Sequence, residues 1–348
     1  TLGSGRFGEL AATLHTTPDP ITLQRELAAL VATGCRHVAL EASSHALDQG
    51  RLNGVDIGVA VFTGLGHDHL DYHGTLEAYG AAKCRLFAHA GLATAIVNAD
   101  DAYATTVLAA TTAGVRRWRY ALHAQDVQFA AREFALTATG SRITARTPDG
   151  EVHIDSALIG EFNASNLLAA LAALMAAGVP ATDAAAALSA APPVRGRMEL
   201  AAREPRVYVD FAHSPDSLAR VLAALRPLCR GRLLCVFGCG GDRDASKRPL
   251  MGAVAEAGAD VVVVTSDNPR SEDPATIASD ILRGMARPHE ARVELDRVAA
   301  IGDALRSANS NDIVLIAGKG HETTQTAGGV ETPLDDVQVV QTWLGRRA

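Results

Sequence analysis

Short uninterrupted apolar runs punctuate the second half of the chain, and each stops abruptly at glycine, histidine or charged residues. Val261-Val262-Val263-Val264 leads into Asp267-Asn268-Pro269-Arg270. Val207-Tyr208-Val209 leads into Asp210-Phe211-Ala212-His213-Ser214-Pro215-Asp216. Leu233 to Phe237 leads into Gly238-Cys239-Gly240-Gly241-Asp242-Arg243-Asp244, and Ile313 to Ala317 leads into Gly318-Lys319-Gly320-His321-Glu322. Runs of this length read as strands buried on both faces, the kind found in parallel sheets. Helical spacing between them, as in Leu218, Val221, Leu222 and Leu225, predicts βαβ units with right-handed crossovers. Ligands bind beyond the carboxyl ends of such strands, so these loops predict a ligand site along one sheet edge.

The first 110 residues or so follow the same plan. Leu23, Leu27, Leu30 and Val31 predict a helix that Gly34 ends. Val38-Ala39-Leu40 predicts a strand delivering Glu41, Ser43, Ser44 and His45. Val59 to Phe62 predicts one delivering His67-Asp68-His69-Leu70-Asp71, and Ala95-Ile96-Val97 one delivering Asn98, Asp100 and Asp101. From Phe134 to Ile159 the pattern alternates, with Thr147-Pro148-Asp149-Gly150 as a hairpin turn, which predicts a small antiparallel β insertion. Leu167 to Ala177 reads as a buried helix that starts at Asn166 and stops at Gly178. Ala191-Pro192-Pro193-Val194 is a stiff connector, so the reading divides the chain into domains of residues 1–192 and 193–348.

Composition removes several function classes. The 348 residues are 48% hydrophobic and 20% charged, with a net charge of −7, a soluble globular profile. No basic stripe with interleaved aromatics suggests nucleic acid, and no apolar run is long enough for membrane insertion. The cysteines (Cys35, Cys84, Cys229, Cys235, Cys239) are odd in number and scattered, with no Cys-x-x-Cys. That argues against a disulfide framework or structural zinc and for a reducing, cytoplasmic setting. The chain starts at Thr1 without a signal sequence, which suggests a fragment or a processed chain.

Candidate chemistry gathers at the predicted strand ends. Glu41, His69 and a further acid suit magnesium or manganese, since hard cations take oxygen ligands from one or two carboxylates with phosphate and water. A solvated acidic loop is the other reading. His67 and His69 as His-x-His raise zinc, but no third ligand follows at a recognisable spacing. Gly238-Cys239-Gly240-Gly241 can let backbone amides approach an anion. Gly-x-x-x-x-Gly-Lys-Ser/Thr is absent, so it is not a P-loop. Lys319 is a cation at a strand end that suits a carboxylate, a phosphate or solvent. Lys83 falls in a helical run and reads as a surface lysine. Arg270 presents a planar fork suited to a carboxylate.

Several stretches together carry a resemblance. They are Glu41-Ala42-Ser43-Ser44-His45-Ala46-Leu47-Asp48-Gln49, Asp68 to Gly74, Glu77 to Phe87 around Lys83, Phe162 to Asn166, Gly196-Arg197-Met198-Glu199, Gly238 to Pro249, Asp267 to Arg270 and Gly318 to Glu322. On these the chain resembles the Mur ligases, and among them the branch that adds meso-diaminopimelate to UDP-N-acetylmuramoyl-L-alanyl-D-glutamate in peptidoglycan synthesis. The resemblance implies an α/β fold. Its central domain has a mostly parallel sheet with the antiparallel insertion, and a Rossmann-like C-terminal domain follows. It implies an ATP- and Mg²⁺-dependent carboxylate–amine ligase acting through an acyl phosphate on small-molecule substrates.

The resemblance also assigns residues. Glu41 and His69 match magnesium ligands, and Lys83 a lysine that is carbamylated and joins them at the catalytic centre. Thr16, Thr17, Ser43, Gln49 and Arg51 match contacts to the UDP-muramoyl dipeptide, and Asn166, Arg197 and Asp210 match positions around ATP. Arg243, Asp267, Asn268, Pro269, Arg270, Gly318 and Glu322 match the diaminopimelate pocket. The chain departs from the pattern at His15, where asparagine is usual, and at Gly64 and His67, where asparagine and arginine are usual. The resemblance further implies a uridine-binding domain and a P-loop upstream of Thr1, so the chain alone is expected to be inactive. Two alternatives stand beside this reading: a related ligase with another amino-acid substrate, and a non-catalytic remnant that kept its amino-acid pocket. The Asp267–Arg270 fork argues against the lysine-adding enzymes.

Overall fold

The structure is a computed structural model that describes residues 2–66, 68–137 and 139–345. The chain forms two units, one of Thr1–Leu136, Gly140–Ala157 and Phe162–Ala191, the other of Thr137–Thr139, Leu158–Glu161 and Pro192–Ala348.

The first unit opens with a hairpin, β1 (Ser4–Arg6) and β2 (Glu9–Ala11), followed by α1 (Pro20–Ala32) and α2 (Ser44–Asp48). Asp19 starts α1 by accepting from the amides of Ile21 and Thr22, with Pro20 in the first turn where its missing N–H costs nothing. A six-stranded sheet then runs in the order β3 (Val59–Phe62), β4 (Thr94–Asn98), β5 (Arg116–Ala121), β6 (Phe129–Thr137), β7 (Gly140–Thr147), β8 (Gly150–Ser156). Neighbours from β3 to β6 pair parallel, and β7 and β8 pair antiparallel with Thr147 opposite Gly150. The alternating segment therefore carries the parallel sheet onward at its edge. Around it lie α3 (Leu70–His73), α4 (Leu76–Phe87), α5 (Ala104–Ala109), α6 (Glu161–Ala176) and α7 (Ala181–Ser189). Phe62, Phe87, Ala95, Val97 and Val107 form one core, and Leu23, Leu47 and Leu52 form a smaller one under α1 and α2.

Two local expectations fail here. Val38-Ala39-Leu40 lies outside every strand, and Val38 and Leu40 are exposed. Three apolar residues make a strand only where a neighbour takes their backbone groups, and none does so among the described residues. The second failure is the start of α6, at Glu161 rather than Asn166. Asn166 is instead an exposed residue inside the helix, because the buried stripe already begins at Asn163 and Ala164.

The second unit carries the sheet foreseen from the apolar runs. Its strands are β9 (Glu199–Arg203), β10 (Arg206–Asp210), β11 (Leu233–Phe237), β12 (Val261–Val264), β13 (Arg292–Val293) and β14 (Ile313–Ala317), in the order β13-β12-β11-β14-β10-β9. Every pair is parallel except β9 with β10. Register fixes the site: Asp210 lies beside Ala317, Val236 beside Ile316 and Phe237 beside Val264. The four loops therefore leave one edge side by side. Flanking helices are α8 (Pro215–Leu225), α9 (Lys247–Gly258), α10 (Pro274–Leu282), α11 (Arg297–Ser307) and α12 (Asp336–Gly345), and β15 (Thr324–Ala327) and β16 (Val330–Pro333) form a separate hairpin. Leu218, Val221, Leu222 and Leu225, the stripe seen in the sequence, are all buried.

One buried ion pair ties this edge together. Arg297 meets Asp336 through Nε and Nη2, both at 2.8 Å, and also donates to the carbonyls of Ser266 and Ala317 at 3.2 and 3.0 Å. Both side chains are fully buried. Removing one partner of such a pair leaves the other charge stranded, so Asp336→Asn is expected to cost about 3–5 kcal/mol of stability. Urea unfolding checks this; a loss below about 1 kcal/mol would mean that the pair does not brace the strand ends.

Candidate functional site

In the first unit, the residues matched to the UDP-muramoyl dipeptide converge around Thr17. Its buried hydroxyl donates to the Glu41 carbonyl at 2.7 Å and accepts from the Ser43 amide at 3.1 Å. Ser43 is the N-cap of α2 and accepts from the Ala46 amide. Arg51 donates to the Thr17 carbonyl at 2.9 Å and, through Nε and Nη2, to Gln49 Oε1 at 2.9 and 2.6 Å. Gln49 continues to the Tyr72 hydroxyl, which donates to Asp48. Thr16 stands half-buried beside Thr17. Four loop residues thus share one network, with Arg51 as its cation. His15 is exposed, and His67 lies outside the described residues.

Lys83 departs from the surface reading given to it by helical spacing. It is half-buried on α4, its ammonium 4.7 Å from the centre of the Tyr79 ring. Burial pushes its pKa down, against the pull of Glu41 and Asp68. His69 sits in the same surroundings with a left-handed backbone, φ 57°, and its ring packs edge-on against His45 and Tyr79. Burial, opposed by Asp68 and assisted by His45 and Lys83, holds the imidazole below its ordinary pKa. A neutral imidazole keeps a lone pair for a metal ion. Among the described residues no group of three or more His, Cys, Asp or Glu is arranged to hold a metal. Glu41 and His69 both interact electrostatically with Lys83, which places all three in one neighbourhood.

In the second unit, the turn before β9 brings Arg197 beside Asp210, the last residue of β10. Asp210 is buried and accepts from the amides of Met198 and Ala212, both at 2.8 Å. Burial raises its pKa against those hydrogen bonds and the Arg197 charge. The Arg197 guanidinium lies 4.9 Å from the centre of the Phe211 ring. Gly196 lets two loops meet, since a Cβ there would fall 2.1 Å from the His321 nitrogen. Asn166, matched to the same nucleotide, belongs to α6 of the first unit.

The loop after β12, Asp267–Arg270, is held at several points. Asn268 donates through Nδ2 to Glu322 Oε2 at 2.8 Å, and its Oδ1 accepts from the Thr326 amide at 3.0 Å. Asp267 is buried, and its carboxylate leaves no room for a side chain at Gly318, where a Cβ would lie 2.5 Å from Oδ2. Pro269 is buried. Arg270 is half-buried with φ 54°, and its Nη1 donates to the Gly241 carbonyl at 2.7 Å. Its Nε and Nη2 bond nothing among the described residues. Arg243 stands exposed and, among the described residues, donates only a long 3.4 Å contact to the Asp242 carbonyl.

Gly238, Gly240 and Gly241 make room for this loop. A Cβ would meet the Thr265 carbonyl at 2.1 Å from Gly238, the Arg270 guanidinium at 2.9 Å from Gly240 and the Pro269 carbonyl at 1.9 Å from Gly241. Their missing side chains are the space the loop occupies.

Sequence reasoning missed what holds that loop from the other side. Strand β15 bonds it through Arg270 N–H to the Thr326 carbonyl and Gln325 Nε2 to the Asp267 carbonyl. The signal was present: Gly328-Gly329, both at positive φ, is the two-residue turn of a tight hairpin. Lys319 is wholly buried, which excludes the solvated turn left open for it. The non-glycine residues at positive φ among those described are His69, Met198, Asp242 and Arg270. Each lies in or beside one of these clusters, as expected where surrounding contacts outweigh backbone strain. All five cysteines are free, and no described helix is long and apolar enough to cross a membrane.

Comparison with known proteins agrees with this geometry. Residues 1–174 match the Mur ligase middle domain, and residues 196–320 match the Mur ligase glutamate ligase domain. A UDP-N-acetylmuramoyl-L-alanyl-D-glutamate–2,6-diaminopimelate ligase from Chromobacterium violaceum is 50% identical over 98% of this chain and 70% of its own length. One of the same name from Pseudomonas aeruginosa is 46% identical over 97% and 70%. A solved structure of such a ligase superposes with a TM-score of 0.68 at 39% identity, covering 99% of this chain and 71% of that one. On the two matched domains and these relatives, the chain belongs to the Mur ligase family.

Proposed function

We propose that the chain carries the catalytic and acceptor-binding parts of an ATP-dependent ligase that joins meso-diaminopimelate to UDP-N-acetylmuramoyl-L-alanyl-D-glutamate. The observation that carries the reading is the loop after β12. A half-free arginine fork at Arg270 and the carboxylate of Glu322, which accepts from Asn268, offer opposite charges to the carboxylate and ammonium of an amino-acid end. A second carboxylate distinguishes diaminopimelate from lysine, and Arg270 gives it a fixed partner.

In the reaction the γ-phosphate of ATP passes to the γ-carboxylate of the dipeptide's glutamate, releasing ADP. The acceptor amine then attacks the acyl phosphate, loses a proton and expels phosphate as the amide forms. The chain's own groups gather and hold these anions. Thr17, Ser43, Gln49 and Arg51 bind the UDP-linked substrate, Asn166 in the first unit and Arg197 and Asp210 in the second are each matched by the resemblance to the nucleotide, and Asn268, Arg270 and Glu322 orient the acceptor. Glu41 and His69, with Lys83 as its carbamate, are the groups suited to holding Mg²⁺. When bound, that ion would offset charge developing on the transferred phosphoryl group. Holding the reactants in place is itself a large part of such catalysis.

The test is ADP release and amide formation by the chain joined to the upstream segments that the resemblance implies, with meso-diaminopimelate and lysine as competing acceptors. The expected product, by mass spectrometry, is the diaminopimelate amide, with ADP release that needs both dipeptide and acceptor. Acceptor-independent ATP hydrolysis alone, or equal use of lysine, would overturn the reading.

A further inference from the structure

Lys319 has all its ammonium donors committed. It donates to Asn268 Oδ1 at 3.2 Å, Glu322 Oε2 at 2.8 Å and the Thr324 carbonyl at 2.6 Å, with no exposed surface. These bonds fix both acceptor residues. Asn268 cannot flip its amide, because Oδ1 faces Lys319 and the Thr326 amide while Nδ2 faces Glu322. Glu322 has Oε2 doubly used, and Oε1 accepts from nothing among the described residues on a side chain still 34% exposed.

Resting on the acceptor-pocket reading above, we infer that Lys319 is a positioning residue for amino-acid recognition: it commits Glu322 Oε2 and locks Asn268, so that Glu322 Oε1 is left ionised and fixed for the acceptor's ammonium. Lys319 itself is too enclosed to touch substrate. A buried lysine is costly unless it is paired, and here the cost is met by groups that belong to the pocket. The charges facing Glu322 support this. Burial alone would raise its pKa, but the hydrogen bond and charge of Lys319, then Asn268 and His321, hold it below the usual glutamate range. Asp267 at the end of β12 and Arg297 on α11 also act on it, with opposite signs.

The test uses Lys319→Met, Glu322→Gln and the double variant in the ligation assay. Lys319→Met is expected to raise the acceptor KM about tenfold or more, as when a hydrogen bond to a charged group is lost, and to leave the ATP KM within about twofold. Without its lysine, Glu322 titrates at higher pH. The mutant-to-wild-type KM ratio should therefore fall as pH rises through the range in which the variant's carboxylate regains its charge. A merely structural lysine would give a pH-independent ratio, and that result, or a wild-type KM, would overturn the inference. An unchanged acceptor KM in Glu322→Gln would instead overturn the pocket reading. If Lys319→Met fails to fold, the double variant decides, because it removes the stranded carboxylate. An acceptor KM matching Glu322→Gln shows that Lys319 acts through Glu322. A further rise above about fivefold, or failure of the double variant to fold, refutes it.

Discussion

Arg270→Ala is expected to raise the acceptor KM at least about thirtyfold while the ATP KM stays within about twofold, because losing one side of a partly buried charge pair costs about 2–5 kcal/mol. The structure sharpens this expectation. Nη1 is already committed to the Gly241 carbonyl, and the backbone is pinned by hydrogen bonds to β15 and to Gly328. The fork is therefore held before any ligand arrives, and binding pays little to order it. Arg270→Lys should recover only part of the loss, since it keeps the charge but not the planar pair of donors. In competition, Arg270→Ala should also lose the preference for diaminopimelate over lysine. Its cause is the unpaired cation that lysine leaves behind. An unchanged preference would move the selecting cation elsewhere, and Arg243, exposed and lightly held, is the next residue to test.

Lys83→Ala is expected to reduce turnover below about one part in a thousand with little change in thermal stability, the pattern of a residue acting in the reaction rather than in packing. An ammonium beside Glu41 and His69 would repel a divalent cation. A carbamate on the same nitrogen replaces that charge with oxygen donors. Burial favours the change, because it pushes Lys83 down and enlarges the neutral fraction that can add carbon dioxide. Carbon-13 bicarbonate should therefore label wild-type protein with a carbamate resonance that Lys83→Ala lacks. Wild-type turnover in the variant, or absence of the label from wild-type protein, would remove Lys83 from the centre.

Much of this architecture was legible because short-range rules wrote it. The valine run at Val261–Val264 and the run at Ile313–Ala317 declare buried parallel strands through composition alone, and both are strands in the structure. Gly34 marks the end of α1 for local reasons of backbone freedom. Loops carrying Asp210, Gly238, Asp267 and Gly318 follow from where those strands stop. The chemical roles were less legible. Glu41, His69 and Lys83 are separated by tens of residues, and spacing alone made Lys83 a surface residue; the resemblance supplied the link.

What only the tertiary structure decided is how distant backbones cross. Val38–Leu40 has a strand's composition yet no partner, because pairing belongs to the neighbour as much as to the segment. Gly240 and Gly241 read in isolation as a flexible turn; in the fold the space of their missing side chains is filled by Pro269 and Arg270. Lys319 could have met solvent, phosphate or carboxylate. Its surroundings were set when the β12 and β14 ends came into register and β15 closed over them. Periodicity and caps are encoded within a turn or two of the chain, so the sequence states them directly. Burial and charge pairing depend on which surfaces meet across tens of residues, and only the folded chain fixes that meeting.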